Sequence, residues 1–246
     1  MIATPAWPPR SLPRLFVRTA LGDGAAIELD PGQANYLGSV LRLGIGAEVL
    51  LFDGQSGEWL ARIAEVGKKR MTLAVERRTR ALDTDPDLTL AFAPVKRAQT
   101  DWLVEKATEL GVARLQPVIT ARTIVERVKR ERLEAIAMEA AEQCHRTTVP
   151  AIAEPLSLAR LLADHAPDRT LYFADETGGE PAAAAFRPGP ATILIGPEGG
   201  FTGDERTAIR ALPNARPIGL GPRILRAETA ALAALTCYMA LAGDWR

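Results

Sequence analysis

Between residues 15 and 78 the apolar positions come in short runs, several of them alternating with polar ones: 15–17, 26–29, 48–52, 59–64 and 71–75. Such alternation marks half-buried strands. Asp53-Gly54-Gln55-Ser56-Gly57 reads as a turn between two of them, and one short helix is predicted over 33–43, before Gly44. Many short strands with Gly-rich turns suggest a small β-barrel. The polar, acidic stretch 80–87, with Pro86, reads as a linker. Beyond it strands alternate with helices. Strands are predicted at 88–93, 114–118, 170–174, 192–195 and 215–220. Helices are predicted at 100–110, closed by Gly111, at 130–144, with Leu133, Ile136, Ala137, Ala140 and Cys144 on one face, and at 156–164. Thr202 to Glu205 is a capping box opening a helix at 205–212, and an apolar helix runs over about 225–241. This rhythm implies an α/β layer fold on a mainly parallel sheet. Trp102 is read as core in preference to a base-stacking platform. Leu232, Leu235, Tyr238 and Met239 suit either their own core or a dimer face.

Charge changes this picture only by location. The formal net charge is zero. Residues 1–80 carry 11 Lys+Arg against 8 Asp+Glu, and 81–246 carry 19 against 22. A mildly basic first third suits phosphate contact, and suits chance scatter equally. Two cysteines and two histidines without ligand spacing give no metal site. The proline-rich start, Met1 to Arg10, lacks the pattern of a signal peptide and reads as a loose arm, and the longest apolar stretch, 230–243, is too short to span a bilayer. A cytoplasmic protein without membrane segments is expected.

Two loops carry candidate chemistry. Ile195-Gly196-Pro197-Glu198-Gly199-Gly200 and Leu220-Gly221-Pro222-Arg223-Ile224-Leu225-Arg226-Ala227-Glu228-Thr229-Ala230 each run from a strand through a Gly-Pro turn into a helix. Glycines there let a ligand approach the backbone, and such loops at strand ends are where open α/β sheets bind ligands. Each alone is as readily a tight connection; the pair, after neighbouring strands, is far more specific. Arg223 and Arg226 sit where a helix dipole disfavours cations, which points to an anion or RNA, although Glu228 and Thr229 offer internal partners. Neither loop is a dinucleotide fingerprint or a P-loop.

These two segments resemble the signature loops of the RsmE family, the ribosomal small-subunit RNA (uracil-N3)-methyltransferases of the SPOUT superfamily. Arg14-Leu15-Phe16-Val17, Leu41-Arg42-Leu43, Leu51 to Gly54, Lys106 to Gly111 and Glu142 to Arg146 are similar as well. Where members commonly have Ser-Gly, this chain has Cys144-His145, and Ala227 stands where Thr is common. The resemblance implies a PUA-like, RNA-binding barrel over 1–80 and a SPOUT α/β domain with a deep trefoil knot over 81–246. It also implies a homodimer, S-adenosylmethionine as cofactor, and 16S ribosomal RNA or the small subunit as substrate. By motif position, Leu171, Gly196, Pro197, Gly199, Gly200, Ile218, Leu220, Gly221, Ile224, Leu225 and Thr229 are the expected cofactor contacts.

Transfer from a sulfonium to N3 of uracil requires in-line placement, worth about 7–11 kcal/mol, and removal of the N3 proton. Glu198 is a candidate general base, or else a structural acceptor within its own turn. Arg223 and Arg226 are candidates to stabilise charge on the uracil oxygens, Arg226 in preference, or to hold a phosphate or the cofactor carboxylate. Arg14, Arg18, Arg42, Lys68, Lys69, Arg70, Lys96 and Arg97 are the candidate RNA contacts. The Lys68-Lys69-Arg70 run can equally be a solvated hairpin tip. Rival readings are an RNA-binding module without catalysis, a SPOUT enzyme acting on a ribose or a guanine, and a nucleotide-dependent metabolic enzyme.

Overall fold

A computed structural model describes residues 12–68, 70–125 and 127–245. The proline-rich arm and Lys69 lie outside the described residues. The chain divides into two units, Met1–Asp83 with His145–Thr148, and Thr84–Cys144 with Val149–Arg246.

The first unit is built on a five-stranded sheet: β1 (Arg14–Phe16), β2 (Ala26–Glu28), β3 (Glu48–Phe52), β4 (Glu58–Gly67) and β5 (Arg70–Arg80), in the order β1-β3-β4-β5-β2. β1 lies parallel to β3 and every other pair is antiparallel. The period of two is visible in β4 and β5, where Ala61, Ile63, Met71, Leu73 and Val75 are buried and Arg62 and Ala74 are exposed. The expected helix at 33–43 is displaced. Asp30 caps the helix α1 (Pro31–Asn35) by accepting from the Gly32 and Gln33 N–H groups at 2.8 and 2.9 Å. The chain then widens into a π-helical turn, Tyr36–Val40, which buries Leu37.

His145–Thr148, which a linear reading places in the second half, folds with the first unit. Arg14 donates to the Arg146 carbonyl, pairs with Glu58 at 2.8 Å and stacks 3.9 Å above the Phe52 ring. Thr147 and Asp83 exchange two hydrogen bonds of 2.7 Å. His145 turns the chain with φ +62°, a conformation that glycine adopts without strain and L side chains rarely do.

The second unit comprises β6 (Leu88–Phe92), α2 (Arg97–Glu109), β7 (Arg114–Ile119), α3 (Arg130–Gln143), β8 (Ala151–Ile152), β9 (Leu156–Ser157), α4 (Leu158–Ala163), β10 (Thr170–Ala174), β11 (Glu180–Pro181), α5 (Ala182–Ala185), β12 (Ala191–Ile195), α6 (Gly203–Arg210), β13 (Ala215–Gly219) and α7 (Ala227–Leu241). The sheet order is β11-β13-β10-β12-β6-β7-β8, parallel throughout, with β9 paired to β7. Both faces are covered, as a parallel sheet requires. Leu90, Phe92, Tyr172, Ile193 and Ile195 pack on one side with Leu103, Leu133 and Leu235 from α2, α3 and α7. Ala91, Leu171, Phe173 and Leu194 point the other way, to Leu158 and Ile209 of α4 and α6. Tyr238 and Met239 are buried in this unit's own core, and the Tyr238 hydroxyl donates to the Gly189 carbonyl at 2.8 Å. Trp102, read as core, is instead 43% exposed on α2. Its neighbours Leu103 and Val104 take the buried stripe, which leaves position 102 on the outer side of the helix.

Candidate active site

β10 lies between β12 and β13, so the strands that carry the two Gly-Pro loops are neighbours in sequence and not in the sheet. Three strand ends therefore meet, and a cleft of about 520 Å³ opens there, within the roughly 300–1,000 Å³ common for small-molecule sites. Its walls are the 196–201 turn, the 219–225 turn, and a third loop after β10 that contributes Ala174, Asp175, Glu176, Gly178 and Gly179.

Each wall needs its glycines. Gly200 adopts φ +67°, and a Cβ there would stand 2.7 Å from Glu176 Oε1. Gly221 has φ +103°, which L side chains rarely adopt. A Cβ on Gly179 would lie 2.5 Å from the Pro217 carbonyl carbon and oxygen, so the third loop lies directly on β13. The 196–201 turn is tied to the loop after β7. Arg122 donates to the Gly199 carbonyl at 2.5 Å, and the Ala121 N–H donates to Glu205 at 2.7 Å. Glu205 also closes the capping box with Thr202 at the start of α6.

The acidic end of the cleft is held by two arginines of α6. Asp175 Oδ2 accepts from Arg210 at 2.7 Å, Oδ1 stands 3.2 Å from Arg206, and Arg206 donates to Glu176 at 2.8 Å. Burial acts to raise the Asp175 carboxyl. The Thr177 N–H and hydroxyl, the Arg210 hydrogen bond and the Arg206 charge together outweigh it and hold the group below the usual aspartate range. The opposite wall is apolar, with Ile218, Leu220, Leu225, Ala227 and Ala230.

Of the residues singled out from the sequence, Gly196, Pro197, Gly200, Ile218, Leu220, Gly221, Ile224 and Leu225 line the cleft, as do Glu198 and Arg223. Glu198 and Arg223 are exposed at its rim, so Glu198 does not occupy a dry pocket. Gly199 and Thr229 are exposed and do not line the cleft, and Leu171 is sealed inside the sheet. Arg226 is the exposed N-cap residue of α7, outside the lining. Arg14 is 7% exposed and its guanidinium is committed inside the first unit, so it is not a phosphate contact. Arg18, Arg42, Lys68 and Arg70 are exposed, Arg42 with φ +58°, and Lys68 sits on the β4–β5 hairpin tip. Lys96 and Arg97 lie at the start of α2 and do not line the cleft. The wall missed from the sequence, 174–179, had a signal of the same kind: a strand running into Asp-Glu-Thr-Gly-Gly. Among the described residues no cluster of three or more metal-ligating side chains occurs, and no helix is long and apolar enough to cross a membrane.

Comparison with known proteins extends these observations. An RNA methyltransferase domain model matches residues 83–239, and an RNA methyltransferase PUA domain model matches residues 29–76. Ribosomal RNA small subunit methyltransferase E of Rickettsia conorii is 32% identical over 228 residues, covering 90% of this chain and 93% of that protein. A putative methyltransferase of Legionella pneumophila, solved with bound S-adenosylmethionine, superposes with a TM-score of 0.87 at 29% identity, over 96% of this chain and 100% of that one. The ribosomal RNA small subunit methyltransferase E of Neisseria gonorrhoeae, bound to S-adenosylmethionine, gives 0.86 at 29% identity with the same coverage.

Proposed function

The chain belongs to the ribosomal RNA small subunit methyltransferase E family, and from that premise we propose that it methylates N3 of one uridine in 16S ribosomal RNA with S-adenosylmethionine. The observation that carries this reading is the convergence of both Gly-Pro loops on one cleft of suitable size. The cleft also fits the cofactor chemically. Its apolar wall suits an adenine, the carboxylates of Glu176 and Glu198 suit a ligand carrying cationic groups, and glycines at 196, 200 and 221 leave backbone polar groups within reach.

The bound cofactor supplies an electrophilic methyl group on a sulfonium. The protein's task is placement and proton removal. Gly196, Pro197, Gly200, Ile218, Leu220, Gly221, Ile224 and Leu225 hold the donor, with Leu171 supporting the floor from inside the sheet and Gly199 and Thr229 supporting the two turns. Glu198, at the rim, accepts the N3 proton. Arg223 offsets the charge that develops on the uracil oxygens, and Arg226, three residues on, assists from the substrate side. Exposed cations of the first unit, Arg18, Arg42, Lys68 and Arg70, grip RNA together with Lys69, Lys96 and Arg97.

Three finer features belong to the same reading. The five-stranded sheet is a PUA-like barrel, spanning about 1–80. The remaining chain carries a deep trefoil knot; the insertion of β12 between β6 and β10 and the Arg122–Gly199 tie support it. The enzyme is a cytoplasmic homodimer, since Ile224 is 84% exposed on the cleft's lip and a second copy would remove that apolar surface from water. Calorimetry with S-adenosylhomocysteine tests the core of the reading. Binding that is lost in Gly200→Val is expected, and a chain with no affinity for it would be an RNA-binding module only.

A further inference from the structure

The second unit has another hollow, of about 170 Å³, where the first turns of α2 and α3 meet. Val95, Val128 and Leu133 give it an apolar floor, and Arg97, Arg127, Lys129 and Arg132 surround it. Arg132 is neutralised there, because its Nε donates to Asp101 Oδ1 at 2.9 Å and its Nη2 to the other carboxylate oxygen. Arg97, Arg127 and Lys129 are exposed, and none has a hydrogen-bond or ion-pair partner among the described residues. Three cations that pair with no described residue thus ring one small apolar depression, whose one lining carboxylate, Asp101, is taken by Arg132. Their mutual repulsion opposes folding. So does their position, since Arg97 and Lys129 stand at helix N-termini where the dipole already favours an anion. Neither helix has a side-chain cap; the first turn of α2 contains no acid, and that of α3 contains one, Glu131. Stability therefore gives little reason for this grouping, whereas a bound anion is attracted by each cation and by both helix N-termini and so offsets these terms. The hollow is smaller than the roughly 300 Å³ of the smallest usual cofactor sites, so it takes a group and not a whole cofactor.

We infer that this hollow is a second RNA-docking pocket, separate from the methyl-transfer cleft, which holds a backbone phosphate of the substrate with the adjoining sugar or base against Val95 and Val128. The inference rests on the chain's being an RNA methyltransferase. It differs from a general basic surface in that the cations share one cavity with an apolar base, where a nucleotide is bound by charge and by contact together.

The test is the triple variant Arg97→Ala, Arg127→Ala, Lys129→Ala, all exposed positions, with RNA binding measured from 50 to 300 mM salt. Loss of the three cations that hold one phosphate should weaken RNA binding about tenfold at low salt and lower the slope of log affinity against log salt by about 0.7–0.9. Affinity for S-adenosylhomocysteine should not move. An unchanged RNA Kd and slope would overturn the pocket. Titration with inorganic phosphate separates a free-anion site. If the variant loses phosphate binding while RNA binding stays intact, the RNA assignment is wrong. Should the triple variant fail to fold, Arg127→Gln alone should still weaken RNA binding about twofold at low salt and lower the slope by part of the roughly 0.7 that one phosphate contributes; an unchanged Kd and slope would again overturn the pocket. The underlying reading fails in a different way, by absence of cofactor binding and methyl transfer in the unsubstituted enzyme.

Discussion

Gly179 has no room for a side chain, because the atoms a Cβ would meet are backbone of Pro217 and Ile218 and cannot swing aside. Gly179→Ala should push the third loop off β13 and weaken S-adenosylhomocysteine binding at least tenfold, read by calorimetry. Asp175 is the electrostatic anchor of the same loop. Its folded pKa lies below the usual 3.8, so its stabilising contribution is complete above about pH 4 and is lost as pH falls through the folded value. Asp175→Asn should cost about 1.5–3 kcal/mol at neutral pH and flatten the acid limb of a stability–pH curve measured by denaturant melts. A mutant with an unaltered acid limb would show that Arg206 and Arg210 do not depend on it. Single-turnover methyl transfer at saturating cofactor and RNA should fall in both Glu198→Ala and Arg226→Ala. Unchanged rates would return Glu198 to a structural role in its turn. The exposed placement of Arg226 at the α7 N-cap makes that variant the more discriminating of the two. These positions differ in how far the sequence reveals them. Gly196 and Gly221 were readable because glycine beside proline has a local meaning, and Gly200 because it stands in the same loop as Gly196. Gly179 and Asp175 were not singled out, since a Gly-Gly turn after one more strand gives no hint of what packs on it. Arg14 was misread as a phosphate contact because its partners, Glu58 and the Arg146 carbonyl, are 44 and 132 residues away.

At the scale of elements, most strands and helices of the second unit fell where apolar periodicity placed them. The capping box of α6 is formed by the residues that announced it, Thr202 and Glu205. Thr202→Ala should lower stability by about 1 kcal/mol, seen as a drop in the denaturation midpoint. A larger effect is expected on cofactor affinity, because Glu205 also accepts from Ala121 and so ties the 196–201 turn to the loop after β7. Where the reading slipped, long-range packing had overridden local pattern. The helix expected at 33–43 starts earlier, at the Asp30 cap, and opens into a π turn that delivers Leu37 to the core. β9 takes Leu156 and Ser157 out of the helix expected at 156–164 and pairs them with β7. Sheet order was also hidden. Nothing in the linear sequence says that β10 lies between β12 and β13, and that order is what adds a third wall to the cleft.

For the molecule as a whole, a net charge of zero conceals where cations are used. Arg97, Arg127 and Lys129 gather in the neutral-to-acidic part of the chain, not in its basic first third. Regional sums did not indicate this, because spatial grouping across α2 and α3 has no counterpart in the order of residues. The proposed homodimer predicts a mass near twice 26.5 kDa in light scattering and dissociation by Ile224→Asp, whereas a monomer at micromolar concentration would contradict it. The central claim is chemical, and one measurement reaches it most directly. Small ribosomal subunits lacking the modification would be incubated with this protein and methyl-labelled S-adenosylmethionine, then digested to nucleosides. Label recovered as N3-methyluridine at one position of the 16S RNA is the predicted result; label in a ribose or another base, or none at all, would contradict it.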